Sequence, residues 1–101
     1  MRKSIKISVI NDTDVTLHGS LTLITANEAV NAIETCMLYR EKLVVNLNTV
    51  TDVDSASLAF LLEATRLAKQ HSCEITFKNL SNSLQGLVKV AKLGSIVQLE
   101  K

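Results

Sequence analysis

The chain has 101 residues, 47% of them hydrophobic and 3% aromatic, with 11 Lys and Arg against 10 Asp and Glu for a formal net charge of +1. That length suits one domain with a buried core, residues 1–101, and is too short for two domains or an elaborate catalytic cleft. Balanced charge, no basic run longer than Arg2-Lys3 and few aromatic rings together remove the electrostatic and stacking footprints of a nucleic-acid binder.

Ser4 to Ile10 alternates, with Ile5, Ile7 and Val9 on one side and Lys6 and Ser8 on the other, and Asn11-Asp12 follows as a turn signal. This predicts a half-buried strand that opens a hairpin. It also lacks the unbroken apolar run of a signal peptide, so a cytosolic protein is expected. In the next strand, Asp14 to His18, Val15 and Leu17 alternate with Thr16 and His18; Gly19-Ser20 is expected to end it, and Leu21 to Ile24 to lead toward the first helix. Thr25 and Glu28 stand at capping-box spacing. Behind them Ala26, Ala29, Val30, Ile33 and Met37, with Cys36 nearby, recur at helical spacing to about Arg40. Leu43 to Leu47, apolar except for Asn46, reads as a central strand covered on both faces.

A short polar segment then leads into a strongly apolar helix from about Ser55 to His71, with Leu58, Leu61, Leu62, Thr65 and Ala68 on one face and Phe60, Ala64 and Leu67 beside them. Its Leu58–Leu62 run is the longest wholly apolar stretch, far below the roughly 20 residues a bilayer requires, so no direct membrane insertion is expected. Glu74 to Phe77 predicts another strand. Ser81-Asn82-Ser83 offers caps for a third helix, Asn82 and Gln85 stand at capping-box spacing, and Leu84, Leu87, Val88 and Ala91 form its stripe. Gly94 is expected to end that helix in a left-handed conformation, and Ile96 to Leu99 to add a last strand. Two strands followed by alternating helices and strands predict an α/β fold, a mixed four- to five-stranded sheet with three to four helices on one or both faces.

The candidate functional residues sit where the central strand meets the second helix. Asp54 and Ser55 occupy positions whose side chains satisfy the first helix amides, and the positive end of the helix dipole would tolerate a phosphoryl group on Ser55. Catalysis by Ser55 would need a base. His71, sixteen residues along the same helix, would be about 24 Å away at about 1.5 Å per residue, and nothing in the sequence brings His18 near. No nucleophile elbow, zinc motif or phosphate loop is present. Cys36 and Cys73 are far apart without metal-ligand spacing and read as small buried thiols, so neither a disulfide, a metal nor a cofactor is expected.

The element order, with Asp54-Ser55-Ala56-Ser57-Leu58 opening a helix after the central strand, resembles a STAS domain over almost the whole chain. The family's motif is Asp-Ser-Ser-Gly-Leu or Asp-Thr-Gly-Gly-Leu. Ser55 matches its regulatory hydroxyl and Leu58 its Leu, while Ala56 and Ser57 depart from it. Leu58-Ala59-Phe60-Leu61-Leu62-Glu63-Ala64, Leu67-Ala68-Lys69-Gln70 and Leu84-Gln85-Gly86-Leu87-Val88-Lys89-Val90-Ala91-Lys92-Leu93 are similar to the MlaB type. That resemblance implies a non-catalytic subunit of an ABC phospholipid transporter that maintains outer-membrane lipid asymmetry. Such a subunit docks on the transporter's ATPase through Asp54, Ser55, Ala56, Ser57 and Leu58, and is peripheral to the inner membrane through its partner. The alternative implied is an anti-sigma-factor antagonist switched when a partner kinase phosphorylates Ser55.

Overall fold

A computed structural model describes residues 4–100; the Arg2-Lys3 pair lies outside the described residues. The elements in chain order are β1 (Ile5–Val9), β2 (Asp14–Leu21), α1 (Ala26–Met37), β3 (Lys42–Val53), α2 (Ser55–Gln70), β4 (Glu74–Lys78) and α3 (Asn82–Val90). The strands form one mixed sheet in the order β1-β2-β3-β4, with β1 antiparallel to β2 and the other neighbours parallel. Parallel neighbours need a crossover, and α1 and α2 supply the two. The expected last strand is reduced to one parallel bridge between Leu99 and Phe77. No helix among the described residues is long and apolar enough to cross a membrane.

One face of the sheet carries the core. Ile5, Val15, Leu17, Leu43, Val45, Leu47, Ile75 and Phe77 cluster there with Ala29, Ile33 and Met37 of α1, Phe60, Leu61, Ala64 and Leu67 of α2, and Leu84 and Val88 of α3. The Phe60 and Phe77 rings meet edge to face, with centroids 6.1 Å apart, and fasten α2 to β4. Registered neighbours in a sheet share a face, so the pairs Lys6–His18, Ser8–Thr16, Thr16–Asn46 and Asn46–Lys78 line the other face with polar groups. The expectation that Leu43 to Leu47 of β3 is covered on both faces therefore holds only in part, since Val44 is buried at 8% exposure on the second face but without an apolar cluster around it. Leu43, Val45 and Leu47 meet the helices, while Val44 belongs to the polar face and stays outside the core cluster.

Several boundaries also differ from the expectations. Gly19 does not end β2: its φ of +105° sits within the strand next to a register shift, and a Cβ there would collide with the Ser4 carbonyl oxygen. Past that irregularity β3 continues to Val53, with Val50 and Val53 packed against the core. Thr25 precedes α1 without making the expected side-chain cap, because its hydroxyl is used in the preceding turn. In α3 the cap is Ser81, which accepts the Leu84 N–H at 3.2 Å, while the Gln85 side chain donates to the Leu80 carbonyl. Lys92 (φ +59°), not Gly94, takes the left-handed conformation after that helix.

Candidate functional site

Helix α2 starts at Asp54, whose extended backbone (φ −146°, ψ −169°) aims its carboxylate at the first free helix amides. Asp54 Oδ1 accepts the Ala56 N–H at 2.8 Å, and Ser57 Oγ accepts the Asp54 N–H at 3.2 Å, which completes a capping box. Ser57 is wholly buried, and its hydroxyl donates to the Leu21 carbonyl at 2.5 Å. The second Asp54 oxygen accepts the Leu23 N–H at 3.2 Å. The cap of α2 is thus also bonded to the turn that joins β2 to α1.

Thr25 fixes the same turn from its other side. Its hydroxyl donates to the Ser20 carbonyl at 2.6 Å and accepts the Thr22 N–H at 3.0 Å. Ser20 Oγ donates to Asp52 Oδ2 at 2.8 Å and ties the end of β2 to β3. Every residue from Ser20 to Leu23 therefore gives a backbone group to a side chain of Thr25, Ser57 or Asp54. At the tip of this held turn Leu23 and Ile24 are 80% and 75% exposed.

Of the five residues singled out in the sequence, Ser55 is exposed and its hydroxyl makes no hydrogen bond to the described residues. Asp54 and Ala56 are half-buried, as is Leu58, which packs against the core. Ser57 lies inside and belongs to the frame of the surface. Further along α2, Ala59 and Leu62 are exposed one and two turns beyond Ser55, so a small apolar stripe continues from the helix start. Leu62, expected on the buried face, is 37% exposed, while Leu61 is fully buried. Leu23 and Ile24 were not singled out in the sequence. Two large apolar residues in succession at a turn are the signal that would have marked them, because a turn cannot bury both.

Neither histidine of the described residues stands at the start of α2. His18 lies on the polar sheet face, with Nε2 2.9 Å from Ser8 Oγ and Nδ1 2.8 Å from Thr49 Oγ1. His71 faces Glu34 at 3.0 Å, near the far end of α2. Both rings are thus engaged away from Ser55. No group of three or more His, Cys, Asp or Glu among the described residues is placed to hold a metal. An open cleft of about 820 Å³ lies beside β4 and α3, lined by residues that include Thr76, Leu80, Gln85 and Leu99 and by none of Asp54 to Leu58. The resolved titration shifts also lie off the helix start. Burial pushes the Cys36 and Cys73 thiols up, against a smaller opposing pull from Arg40, and the Arg66 hydrogen bond holds Glu63 below its ordinary value.

What the arrangement offers is a polar helix start with a free hydroxyl, flanked by apolar side chains that project from a fastened turn. A surface of this kind suits protein contact, since apolar anchors beside polar groups are what interfaces use.

The family model described as "Mlab, STAS domain" matches residues 9–98. The anti-sigma factor antagonist SpoIIAA in its unphosphorylated form superposes with a TM-score of 0.72 at 14% identity, over 96% of this chain and 88% of that one. A Thermotoga maritima protein classed provisionally as an anti-sigma factor antagonist gives a TM-score of 0.76 at 16% identity, over 96% of this chain and 86% of that one. No curated protein matches significantly. At these identities the two structures speak to the fold, which they share in its mixed sheet and helices, and the family model speaks to descent: the chain belongs to the STAS family, in its MlaB-like group.

Proposed function

We propose that this protein is a non-catalytic accessory subunit of an ABC-type phospholipid transporter that maintains outer-membrane lipid asymmetry. It docks on the ATPase subunit through the start of α2 and the adjacent β2–α1 turn. The observation that carries the reading is the pair Leu23 and Ile24, held with most of their surface in solvent beside the exposed Ser55. Their exposure has a cost in water that burial against a partner would recover. The MlaB-like family model supports the choice of an ABC ATPase as that partner. In this reading Ser55, Ala56 and Leu58 line the contact or its fringe, Asp54 and Ser57 support it through their internal hydrogen bonds, and the protein reaches the inner membrane only through its partner.

The structural likeness to anti-sigma factor antagonists favours a second reading, in which a partner kinase phosphorylates Ser55. The added charge of about −1.5 to −2 would act on the same surface by desolvation and repulsion and would leave the fold intact. Affinity purification of the tagged protein from detergent-solubilised native cells separates the two. An ABC ATPase with its permease supports the first, whereas a soluble kinase together with phosphorylated Ser55 overturns it in favour of the second.

A further inference from the structure

We propose that Asp54 and Ser57 are positioning residues for docking: they lock the β2–α1 turn in the conformation that presents Leu23 and Ile24, and so govern recognition without touching the partner. The proposal rests on the docking reading above and adds a mechanism to it. An exposed turn left free would have to be ordered on binding, at roughly 1–2 kcal/mol for each residue whose backbone is fixed, and that loss would come out of the affinity. Here the turn is already fixed.

Asp54 uses both carboxylate oxygens internally, one for Ala56 N–H in its own helix and one for Leu23 N–H in the turn. Ser57 uses both capacities of its hydroxyl, accepting from Asp54 N–H and donating to the Leu21 carbonyl. The two residues therefore grip the turn at Leu21 and Leu23, on either side of Thr22 and immediately before Ile24. Where the family's motif has Gly, this chain has Ser57, and a glycine could not make the bond to Leu21. The side chains that give the helix its cap thus also set the orientation of the apolar pair.

Asp54→Asn separates the two duties. Asparagine caps helices about as well as aspartate, so the fold should hold. It has one acceptor oxygen in place of two, so it can serve Ala56 N–H or Leu23 N–H but not both. The first readout needs no partner: in the free protein, amide exchange at Leu23 should accelerate by about tenfold or more in D54N, with the melting temperature little changed. The second uses the ATPase recovered with the tagged protein. D54N should weaken binding about fivefold or more, yet cost nothing further when Leu23 and Ile24 are already alanine, because residues acting through one element are non-additive. Ser57→Ala should likewise accelerate exchange at Leu23, although its buried position will also lower the melting temperature.

Unchanged exchange at Leu23 in D54N overturns the proposal, as does a binding loss that simply adds to that of the double alanine variant. If L23A/I24A itself binds like wild type, the docking reading fails. The exchange measurement, made without partner, keeps that failure distinct from a failure of the lock.

Discussion

Replacing Leu23 and Ile24 together by alanine should cripple docking while leaving the protein folded. The two side chains are 80% and 75% exposed, so each has most of its surface available for a partner to cover. Full burial of such a side chain is worth about 1.5–3 kcal/mol; because alanine retains the Cβ and an interface rarely desolvates every atom, roughly 1.5 kcal/mol per residue is a fair expectation. The pair then loses about 3 kcal/mol, or roughly a 150-fold rise in Kd at about 1.4 kcal/mol per decade. Neither residue belongs to the core cluster, so unfolding free energy should stay within about 0.5 kcal/mol of wild type. Calorimetric titration against the purified ATPase, paired with a denaturant melt, checks both halves. A Kd within about threefold of wild type would refute the reasoning, because it would mean that the exposed pair stays in solvent in the complex.

Ser55→Arg should weaken the same interaction by its bulk and charge, and Ser55→Asp should do so while holding or slightly raising stability, since an anion at the helix start is favoured by about 0.3–1 kcal/mol; a melt beside the titration reads the sign. Leu61→Ala should destabilise by roughly 2–5 kcal/mol because that side chain is wholly buried, whereas the part-exposed Leu62→Ala should cost less than about 1 kcal/mol; equal losses in urea would show the orientation of α2 to be wrong. Cys36 and Cys73 should react slowly with an alkylating reagent at neutral pH until the protein is unfolded, because burial hides both and pushes both thiols up. With folded values above the unfolded ones, the unfolded chain loses these protons first. Their contribution to stability is therefore full below the unfolded value of about 9 and fades as pH rises through the higher folded values, which a pH series of urea melts would read.

The features that were legible in the sequence are those that depend on local pattern. The Ala29, Ile33 and Met37 stripe, the alternation of Ile75 and Phe77 and the cap at Asp54 all appear where spacing placed them, because each is decided within one or two turns of chain. What stayed hidden depends on contacts across the fold. Thr25 and Glu28 have capping-box spacing, yet the Thr25 hydroxyl is bonded to the Ser20 carbonyl, a choice that only the turn geometry reveals. Gly19-Ser20 reads as a strand end, whereas pairing with β3 carries the strand through the irregularity to Leu21. The polar stretch Asn48-Thr49 concealed the second half of β3, whose polar side chains face outward while Val50 and Val53 face the core. At the site itself, motif spacing located Asp54 and Ser55 but not Leu23 and Ile24, more than thirty residues earlier in the chain and brought there by the Asp54–Leu23 hydrogen bond.

The central claim is that the α2 start and the β2–α1 turn face the transporter ATPase, and site-specific photocrosslinking in native membranes tests it most directly. A crosslinking side chain would replace Ile24, with a second version replacing Tyr39 as a control. Tyr39 is more exposed still, at 94% against 75%, but lies at the other end of the sheet, where Arg40 binds the carbonyls of the β1–β2 turn. The account predicts that position 24 captures the ATPase and position 39 does not. Capture of the ATPase from position 39 alone, or capture from position 24 of a soluble kinase in its place, would contradict it.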